Sequence, residues 1–335
     1  MRIALDAMGG DFGPQPNIDG AIAALRENPD LQVTLVGDPV ALGSLLANVG
    51  FQDSRLSIRP SEGWVEMCEK PVEALRKKPN CSIIVCWQLM ATQAVDAVVS
   101  AGHTGAVVAA GLRTRLFLKG VKRPGIAVAL PTTKGKTVLM DVGANPGARP
   151  EHLVQYGTMG SIYAREMLGI ERPTVGLMNI GSEDGKGTDD VRDSLALFSK
   201  SPFRDRFVGN VEGRDLYQGG ADVVICEGFV GNVLLKAAEG MVDMLMKTVS
   251  AEVLLALDQE KSRAVEAFGK LSKRFEYHEA GGAPLMGIDG IAIICHGSSN
   301  SRSIYNALRV ATTLKNRRIN EQIVDELSSS TVLVD

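Results

Sequence analysis

The chain has 335 residues, 45% of them hydrophobic, with a formal net charge of −3 at pH 7. That length permits a large core, in one big α/β domain or two smaller ones. The charge argues against nucleic-acid binding driven by overall charge, and no apolar run of about 18 residues could span a membrane. Because the chain begins with a predicted strand rather than a basic, apolar leader, we expect a cytoplasmic protein.

Six predicted strands each run into a loop of small or polar residues, and helical patterns separate them. The strands are 3–6, 97–100, 138–141, 175–179, 223–226 and 291–295. The alternation predicts an α/β fold with a mostly parallel, doubly wound sheet covered on both faces. The carboxyl ends of such strands share an edge, where ligands bind. No proline/glycine-rich linker interrupts the chain, so we expect a single catalytic domain over 1–335.

The helices between these strands follow from apolar spacing and from proline at first-turn positions. They are predicted at 17–26, 40–49, 82–93, 104–119, 150–168, 189–198 and 301–327. Strands 126–130 and 137–142 have no helix between them, which indicates an antiparallel pair. Residues 61–80 and 277–289 are interpreted as irregular segments.

Residues 237–280 form a predicted helical arm within that domain. Met241, Leu245, Val249, Val253 and Leu257 recur every four residues, and a second helix is predicted over 259–275. The two helices together are typical of an αα-hairpin projecting from the sheet. Such a wide stripe has three explanations: packing in the chain's own core, a dimer interface, which we prefer, or weak membrane contact.

The loop after strand 223–226 has the features of an anion site. Gly228 and Gly231 follow the strand, and Asn232 stands at a plausible N-cap of the next helix. Free N–H groups and the positive end of a helix dipole would then point at one place, which suits an anion. In the loop 179–187, Lys186 lies between two glycines; it is either a solvated lysine or, as we prefer, a catalytic one at a strand's end.

The remaining chemistry is limited. Cys226 and Cys295 end apolar strands and are predicted to be small buried hydrophobes. The chain has no C-x-x-C, no P-loop, no G-x-S-x-G and no metal-spaced histidine pair. We therefore expect no metal and no cofactor, and a site that binds an anionic small molecule and stabilises negative charge.

Nine motifs, in order, closely resemble the bacterial acyl-carrier-protein:phosphate acyltransferase (PlsX) family. They are D-A-M-G-G-D (6–11), S-A-G-H-T-G-A (100–106), L-M-D-V-G-A-N (139–145), P-E-H-L-V-Q-Y-G-T-M-G-S (150–161), N-I-G-S-E-D-G-K-G (179–187), F-V-G-N-V-E-G-R-D (207–215), E-G-F-V-G-N-V-L-L-K (227–236), G-G-A-P-L-M-G (281–287) and H-G-S-S (296–299).

The resemblance implies a fold like phosphotransacetylases and isocitrate-dehydrogenase-like proteins, and a homodimer. It implies formation of acyl phosphate from long-chain acyl-carrier protein and inorganic phosphate, towards phosphatidic acid in phospholipid synthesis. The functional partner would be a membrane glycerol-3-phosphate acyltransferase, which suggests a location at the inner face of the membrane. The alternatives are a phosphotransacetylase acting on acyl-CoA and a non-catalytic nucleotide-binding module.

The resemblance also assigns residues. Lys186 and Asn232 are expected to be catalytic. Substrate and phosphate are expected at Gly9, Gly10, Asp11, Gly102, Thr104, Gly105, Asn145, Asn179, Gly231 and His296. His103, Pro146–Gly147 and Ile294 depart from the family pattern.

Docking of an acidic carrier protein requires a local basic group, because the chain is net negative. We favour Lys270, Lys273 and Arg274, near the end of the second arm helix. The alternatives are the groups at 76–78 and 122–123.

Overall fold

The computed structural model describes residues 1–257, 259–275 and 281–329. Within these ranges the chain divides into two compact units: unit 1 comprises 1–127 and 281–329, and unit 2 comprises 128–257 and 259–275. The single domain over 1–335 with an arm at 237–280 stays a prediction.

The described strands are β1 (Arg2–Asp6), β2 (Gln32–Gly37), β3 (Leu56–Pro60), β4 (Ala97–Ser100), β5 (Gly125–Thr132), β6 (Gly135–Met140), β7 (Val175–Met178), β8 (Phe207–Val211), β9 (Val223–Ile225), β10 (Ala283–Met286) and β11 (Ile291–Ile294). The described helices are α1 (Gln15–Glu27), α2 (Pro39–Val49), α3 (Pro71–Lys77), α4 (Ser82–Ala91), α5 (Thr104–Thr114), α6 (Pro150–Leu168), α7 (Asp189–Phe198), α8 (Gly213–Gln218), α9 (Gly228–Ala256), α10 (Lys261–Phe275), α11 (Ser301–Asn316) and α12 (Ile319–Ser329).

In unit 1 the strands β3, β2, β1, β4 and β11 lie side by side and are all parallel. Strand β10 follows β11 in antiparallel orientation, and the start of β5 pairs antiparallel with β10. Ser100 is in register with both Asp6 and Ile294. The carboxyl ends of β1, β4 and β11 therefore form one edge.

In unit 2 the strands β6, β9, β7 and β8 are parallel neighbours. Ile225 is in register with both Met140 and Leu177, so β6, β9 and β7 also end at one edge. Only Thr133 and Lys134 separate β6 from its sheet neighbour β5, a connection that antiparallel strands alone allow. The predicted mostly parallel α/β fold is confirmed.

The core consists of apolar strands that are buried on both faces. Every residue of β4, β7, β9 and β11 is buried. A strand covered on both faces has no polar side to alternate with, which explains why these runs are continuously apolar in the sequence.

Four predictions of local structure were wrong. Helix α5 ends at Thr114 instead of residue 119, because Arg115 adopts a left-handed conformation (φ 52°). The predicted helix 301–327 is two helices, with Arg318 (φ 54°) between them. The segments predicted as irregular contain α3, which starts at Pro71, and β10, where Pro284 and the glycines on either side concealed the strand. Residues 277–280 lie outside the described residues.

Candidate active site

At the edge of unit 1, the loops after β1 and β4 lie directly against each other. The buried Asp6 carboxylate accepts a hydrogen bond from Ser100 Oγ (2.7 Å), and Ser100 Oγ accepts one from Gly102 N (3.0 Å). Gly9 has no room for a side chain, since a Cβ there would lie 2.6 Å from Gly102 N. The predicted residues Gly9 and Gly102 are thus brought together, and glycine is required for that approach.

The buried Asp6 side chain helps to position these two loops. Burial raises the pKa of its carboxyl group, and hydrogen bonds, including the one from Ser100, oppose the rise. Its Oδ2 atom is turned towards the glycine loops, 2.9 Å from where a Cβ on Gly9 would lie. Asp6 is therefore a positioning residue of this edge.

Asn17 is a further positioning residue, which the sequence analysis missed. It is buried in α1, and its Nδ2 atom donates to the carbonyl oxygens of Ala7 and Gly9, both at 2.9 Å. The signal for it was a polar residue on the buried face of a helix beside Ile18. The other buried residues of this helix are apolar, so the buried amide of Asn17 needs hydrogen-bond partners outside the helix.

The loop after β11 joins the same edge. Asp11 N donates to the carbonyl oxygen of Gly297 (2.7 Å), and Gly10 has the positive φ (102°) that the turn requires. His296 is exposed; its Nδ1 atom accepts from Ser298 N (3.2 Å) and lies 2.7 Å from Ser298 Oγ. Gly10, Asp11 and His296, as predicted, therefore belong to one loop cluster.

Helix α5 begins at this edge, with His103 as its N-cap. The ring accepts a hydrogen bond at Nδ1 from Gly105 N (3.1 Å), so in the neutral form the proton is on Nε2. Thr104, the first helical residue, is exposed.

In unit 2, Asp141 folds the loop after β6. This buried carboxylate accepts from Gly143 N (3.1 Å), Ala144 N (3.0 Å) and Asn145 N (2.8 Å). The side chain of Asn145 in turn donates to Tyr156 Oη (2.9 Å). The position of Asn145 thus depends on Asp141, a role that the sequence analysis did not assign.

The start of α9 meets this loop at very short range. A Cβ on Gly231 would lie 1.9 Å from the carbonyl oxygen of Asp141, and Gly228 N donates to the carbonyl oxygen of Asn145 (3.0 Å). The exposed Asn232 has its Cβ atom 3.6 Å from where a Cβ on Gly143 would lie. Asn145, Gly231 and Asn232 are therefore brought together.

The prediction that Asn232 is the N-cap of this helix was wrong. Helix α9 begins at Gly228, and its N-cap is Glu227, whose carboxylate accepts from Phe229 N (2.8 Å) and Val230 N (2.6 Å). These N–H groups are already satisfied by a negative charge, so they do not form the anion site. The amide side chain of Asn232 is the group that the helix presents at this edge.

The Lys186 loop follows β7, the neighbour of β9. Asn179 is buried and clamps this loop: its Oδ1 atom accepts from Ile180 N (2.8 Å) and its Nδ2 atom donates to the carbonyl oxygen of Lys186 (3.1 Å). The Lys186 side chain is half exposed, with Nζ 4.0 Å from Glu183 Oε1. A loosely paired lysine at a strand's end is available to an anion.

The cysteines do not act as nucleophiles at these edges. Cys226 and Cys295 are buried, as predicted. Burial raises the pKa of the Cys295 thiol to about 12 and that of Cys226 well above its usual value. Both thiols stay protonated near neutral pH, and the thiolate is the reactive form. Among the described residues, no group of histidine, cysteine and acidic side chains could hold a metal ion.

The fold is that of the phosphotransacetylases. A phosphotransacetylase from Streptococcus pyogenes matches with a TM-score of 0.62 at 16% identity, over 94% of this chain and 93% of that one. EutD phosphotransacetylase from Staphylococcus aureus matches with a TM-score of 0.56 at 14% identity, over 94% of each chain. At these identities the similarity defines the fold class alone.

The sequence comparisons define the family. The family model described as "Fatty acid synthesis protein" matches residues 1–322. The chain is 46% identical over 331 residues to the phosphate acyltransferase of Desulfitobacterium hafniense (strain Y51), covering 98% of this chain and 97% of that protein. It is 42% identical over 337 residues to the phosphate acyltransferase of Brevibacillus brevis (strain 47), covering 99% of each. The chain belongs to the phosphate acyltransferase family.

Proposed function

We propose that the protein transfers a long-chain acyl group from the thioester of acyl-carrier protein to inorganic phosphate. The products are acyl phosphate and the free thiol of the carrier. The observation that carries this proposal is 46% identity to a phosphate acyltransferase over nearly the whole chain. Family motifs lie at the strand ends, where Asn232 adjoins the Asp141 loop.

The reaction needs no enzyme nucleophile. A phosphate oxygen attacks the thioester carbonyl carbon, a tetrahedral oxyanion forms, and its collapse breaks the C–S bond to release a thiolate that takes up a proton. Phosphate is already anionic near neutral pH, since second phosphoryl pKa values are near 6. No strong general base is required.

Positioning and charge stabilisation supply the rate enhancement. Holding the two reactants in line can contribute about 7–11 kcal/mol, and one donor to the oxyanion about 3–4 kcal/mol. We propose that the positive charge of Lys186 and the side-chain amide of Asn232 stabilise the negative charge of the phosphate and of the oxyanion.

The test is to incubate the purified protein with phosphate and either long-chain acyl-carrier protein or the matching acyl-CoA. Acyl phosphate formed from the carrier-protein substrate is the expected result. Product from acyl-CoA only would identify a phosphotransacetylase instead. Nucleotide binding without turnover of either donor would identify a non-catalytic module.

The product would serve phospholipid synthesis. Acyl phosphate is a reactive anhydride, and a membrane glycerol-3-phosphate acyltransferase is the proposed consumer on the way to phosphatidic acid. With that consumer, the proposed reaction takes place in the cytoplasm, at the inner face of the membrane. In the part of the chain that the structure describes, no helix is sufficiently long and apolar to cross a bilayer.

We propose a homodimer built partly on the apolar stripe of α9. Met241, Leu245, Val249 and Val253 are exposed on this helix, with exposed fractions between 37% and 54%. Large apolar side chains at helical spacing favour burial against a partner. A second copy of the chain carries the same stripe and can cover it isologously.

Leu245→Glu/Val249→Glu is expected to convert the dimer to a monomer, because two charges would be buried in the interface. Sedimentation velocity measures the oligomeric state of each variant. Lys247→Glu, between the two positions but outside the stripe, is the control and should leave the dimer intact. A wild-type monomer would contradict the proposal and leave lipid or internal packing as the stripe's cover.

We further propose that the carrier protein docks on Lys270, Lys273 and Arg274. Lys270 is exposed on α10 and paired with Glu266 (2.7 Å); the other two side chains lie outside those described. Exposed charges at an interface rim act mainly on association rate and salt dependence.

Reversing all three charges to glutamate should raise KM for acyl-carrier protein and leave KM for phosphate nearly unchanged. The penalty should shrink as salt rises, because salt screens the wild-type attraction. Steady-state kinetics at two ionic strengths measures both effects. An unchanged KM at low ionic strength would refute docking at this site, and the basic group at 76–78 is then the next to test.

A further inference from the structure

The motif P-E-H-L-V-Q-Y-G-T-M-G-S (150–161) has no part in the proposed chemistry, yet it lies against the candidate site of unit 2. It begins α6, a helix in which every residue from 153 to 164 is buried. Tyr156 is 0% exposed, and its Oη atom accepts a hydrogen bond from Asn145 Nδ2 (2.9 Å). Close-packed interiors leave little room for a buried helix to shift. Tyr156 therefore gives Asn145 a fixed partner.

The side-chain nitrogen of Asn145 is directed into the protein. Besides Tyr156, it donates to Asp141 Oδ2 (3.3 Å). Asp141 accepts three backbone N–H groups, which favours its ionised form, and an ionised carboxylate only accepts. The nitrogen end of the amide must therefore face Asp141, and both of its hydrogens have acceptors within unit 2. This nitrogen is not a donor to phosphate.

The backbone of Asn145 contacts the first turn of α9. Its carbonyl oxygen accepts from Gly228 N (3.0 Å), and a Cβ on Gly228 would lie 2.9 Å from both the N and the C atom of Asn145. Gly228 is buried and is the first residue of the helix. Asn232 stands one turn later, beside Gly143 of the same loop. A displacement of Asn145 therefore displaces the start of α9 and, with it, Asn232.

We propose that Tyr156 is a positioning residue of the reaction: it holds Asn145, and Asn145 fixes the start of α9 and the side-chain amide of Asn232. The inference rests on the proposed function, since it concerns a donor to the oxyanion of that reaction. Because it is buried, Tyr156 acts through Asn145 and not on a substrate. Its loss should weaken an interaction made in the transition state and leave the ground-state binding of phosphate intact.

Tyr156→Phe removes the hydroxyl group and keeps the ring. We expect kcat to fall by about tenfold and KM for phosphate to stay within about twofold, as for an interaction made only in the transition state. Tyr163→Phe is the matched control, because Tyr163 is also buried in α6 and its hydroxyl has no hydrogen-bond partner among the described residues. The control should keep both constants of the wild type. A raised KM for phosphate with an unchanged kcat would overturn the inference.

A pair of double-mutant cycles separates positioning from general damage. In Asn232→Ala the donor is already absent, so adding Tyr156→Phe should lower kcat by less than about twofold, the non-additivity of coupled residues. In Lys186→Ala the loss should remain about tenfold, as expected for independent sites. Losses of equal size in the two backgrounds would overturn the inference, whether both are large or both are absent.

A second variant covers the case in which Tyr156→Phe fails to fold. Asn145→Ala removes the same hydrogen bond at its other end, and it should lower kcat in the wild type but not in Asn232→Ala. If it raises KM for phosphate instead, Asn145 is a phosphate ligand and the inference is overturned while the proposed function stands. A wild type inactive with every donor would overturn the proposed function itself, and the inference with it.

Discussion

Lys186→Ala and Asn232→Ala are each expected to lower kcat/KM by about 100-fold or more. Each change removes one donor from developing negative charge, and the loss of a single oxyanion donor costs about 10²–10³ in rate. Both side chains are exposed or half exposed, so their removal creates no cavity and should leave stability almost unchanged. Acyl phosphate formation under saturating and limiting phosphate measures the effect on kcat and KM separately.

A surface lysine provides the matched control. Lys200→Ala removes an exposed lysine just after α7, in the same unit as Lys186, and is expected to retain wild-type activity. Near-normal turnover by both folded site variants would remove Lys186 and Asn232 from the mechanism. If added phosphate fully restores the activity of Lys186→Ala, this lysine contributes only to ground-state binding of phosphate.

Gly231→Ala is expected to damage both stability and activity. The new methyl group would meet the carbonyl oxygen of Asp141 at 1.9 Å, so the start of α9 and the β6 loop must separate. Overpacking of this kind costs about 1–3 kcal/mol. Asn232 is the next residue, and a displacement of about 1 Å at a reacting site can cost about 100-fold in rate. Urea unfolding and kcat/KM are the two measurements.

The same helix supplies the control for that substitution. Gly240 also lies in α9, but a Cβ there would have no atom within 4 Å. Gly240→Ala should therefore stabilise the protein by about 0.5–1 kcal/mol, the helix preference for alanine over glycine. If Gly231→Ala unfolds at the same urea concentration as Gly240→Ala and keeps full activity, the close approach does not matter for the site.

The order of strands and helices was predictable because apolar runs buried on both faces are bounded by glycine and polar residues. The loops at Gly9, Gly102 and Asn145 were found for that reason. Pairing of distant strands was not predictable: β10 lies between β11 and β5 through contacts that no local pattern contains. Its proline and the glycines on either side of it suggested a turn instead.

The positioning residues were less predictable than the residues they position. Asn17 acts through carbonyl groups of the β1 loop and Asp141 through N–H groups of its own loop. A sequence pattern does not reveal which carbonyl or N–H group a buried side chain reaches. The start of α9 was misplaced because asparagine is a better N-cap than glutamate in general. The helix instead begins at Gly228 with Glu227 as its N-cap, and Gly231 lies inside it, against Asp141.

Helix α9 runs without interruption for 29 residues, about 43 Å at the usual rise. Asn232 lies near one end of the helix, and the stripe from Met241 to Val253 lies further along it. A single continuous helix therefore fixes both the distance between them and the angle between them about the helix axis. Inserting or deleting a single residue within 233–240 would turn the stripe by about 100° with respect to Asn232. A change of length in this stretch is therefore expected to misalign the stripe with Asn232, whereas substitutions are not, although most of its side chains touch solvent.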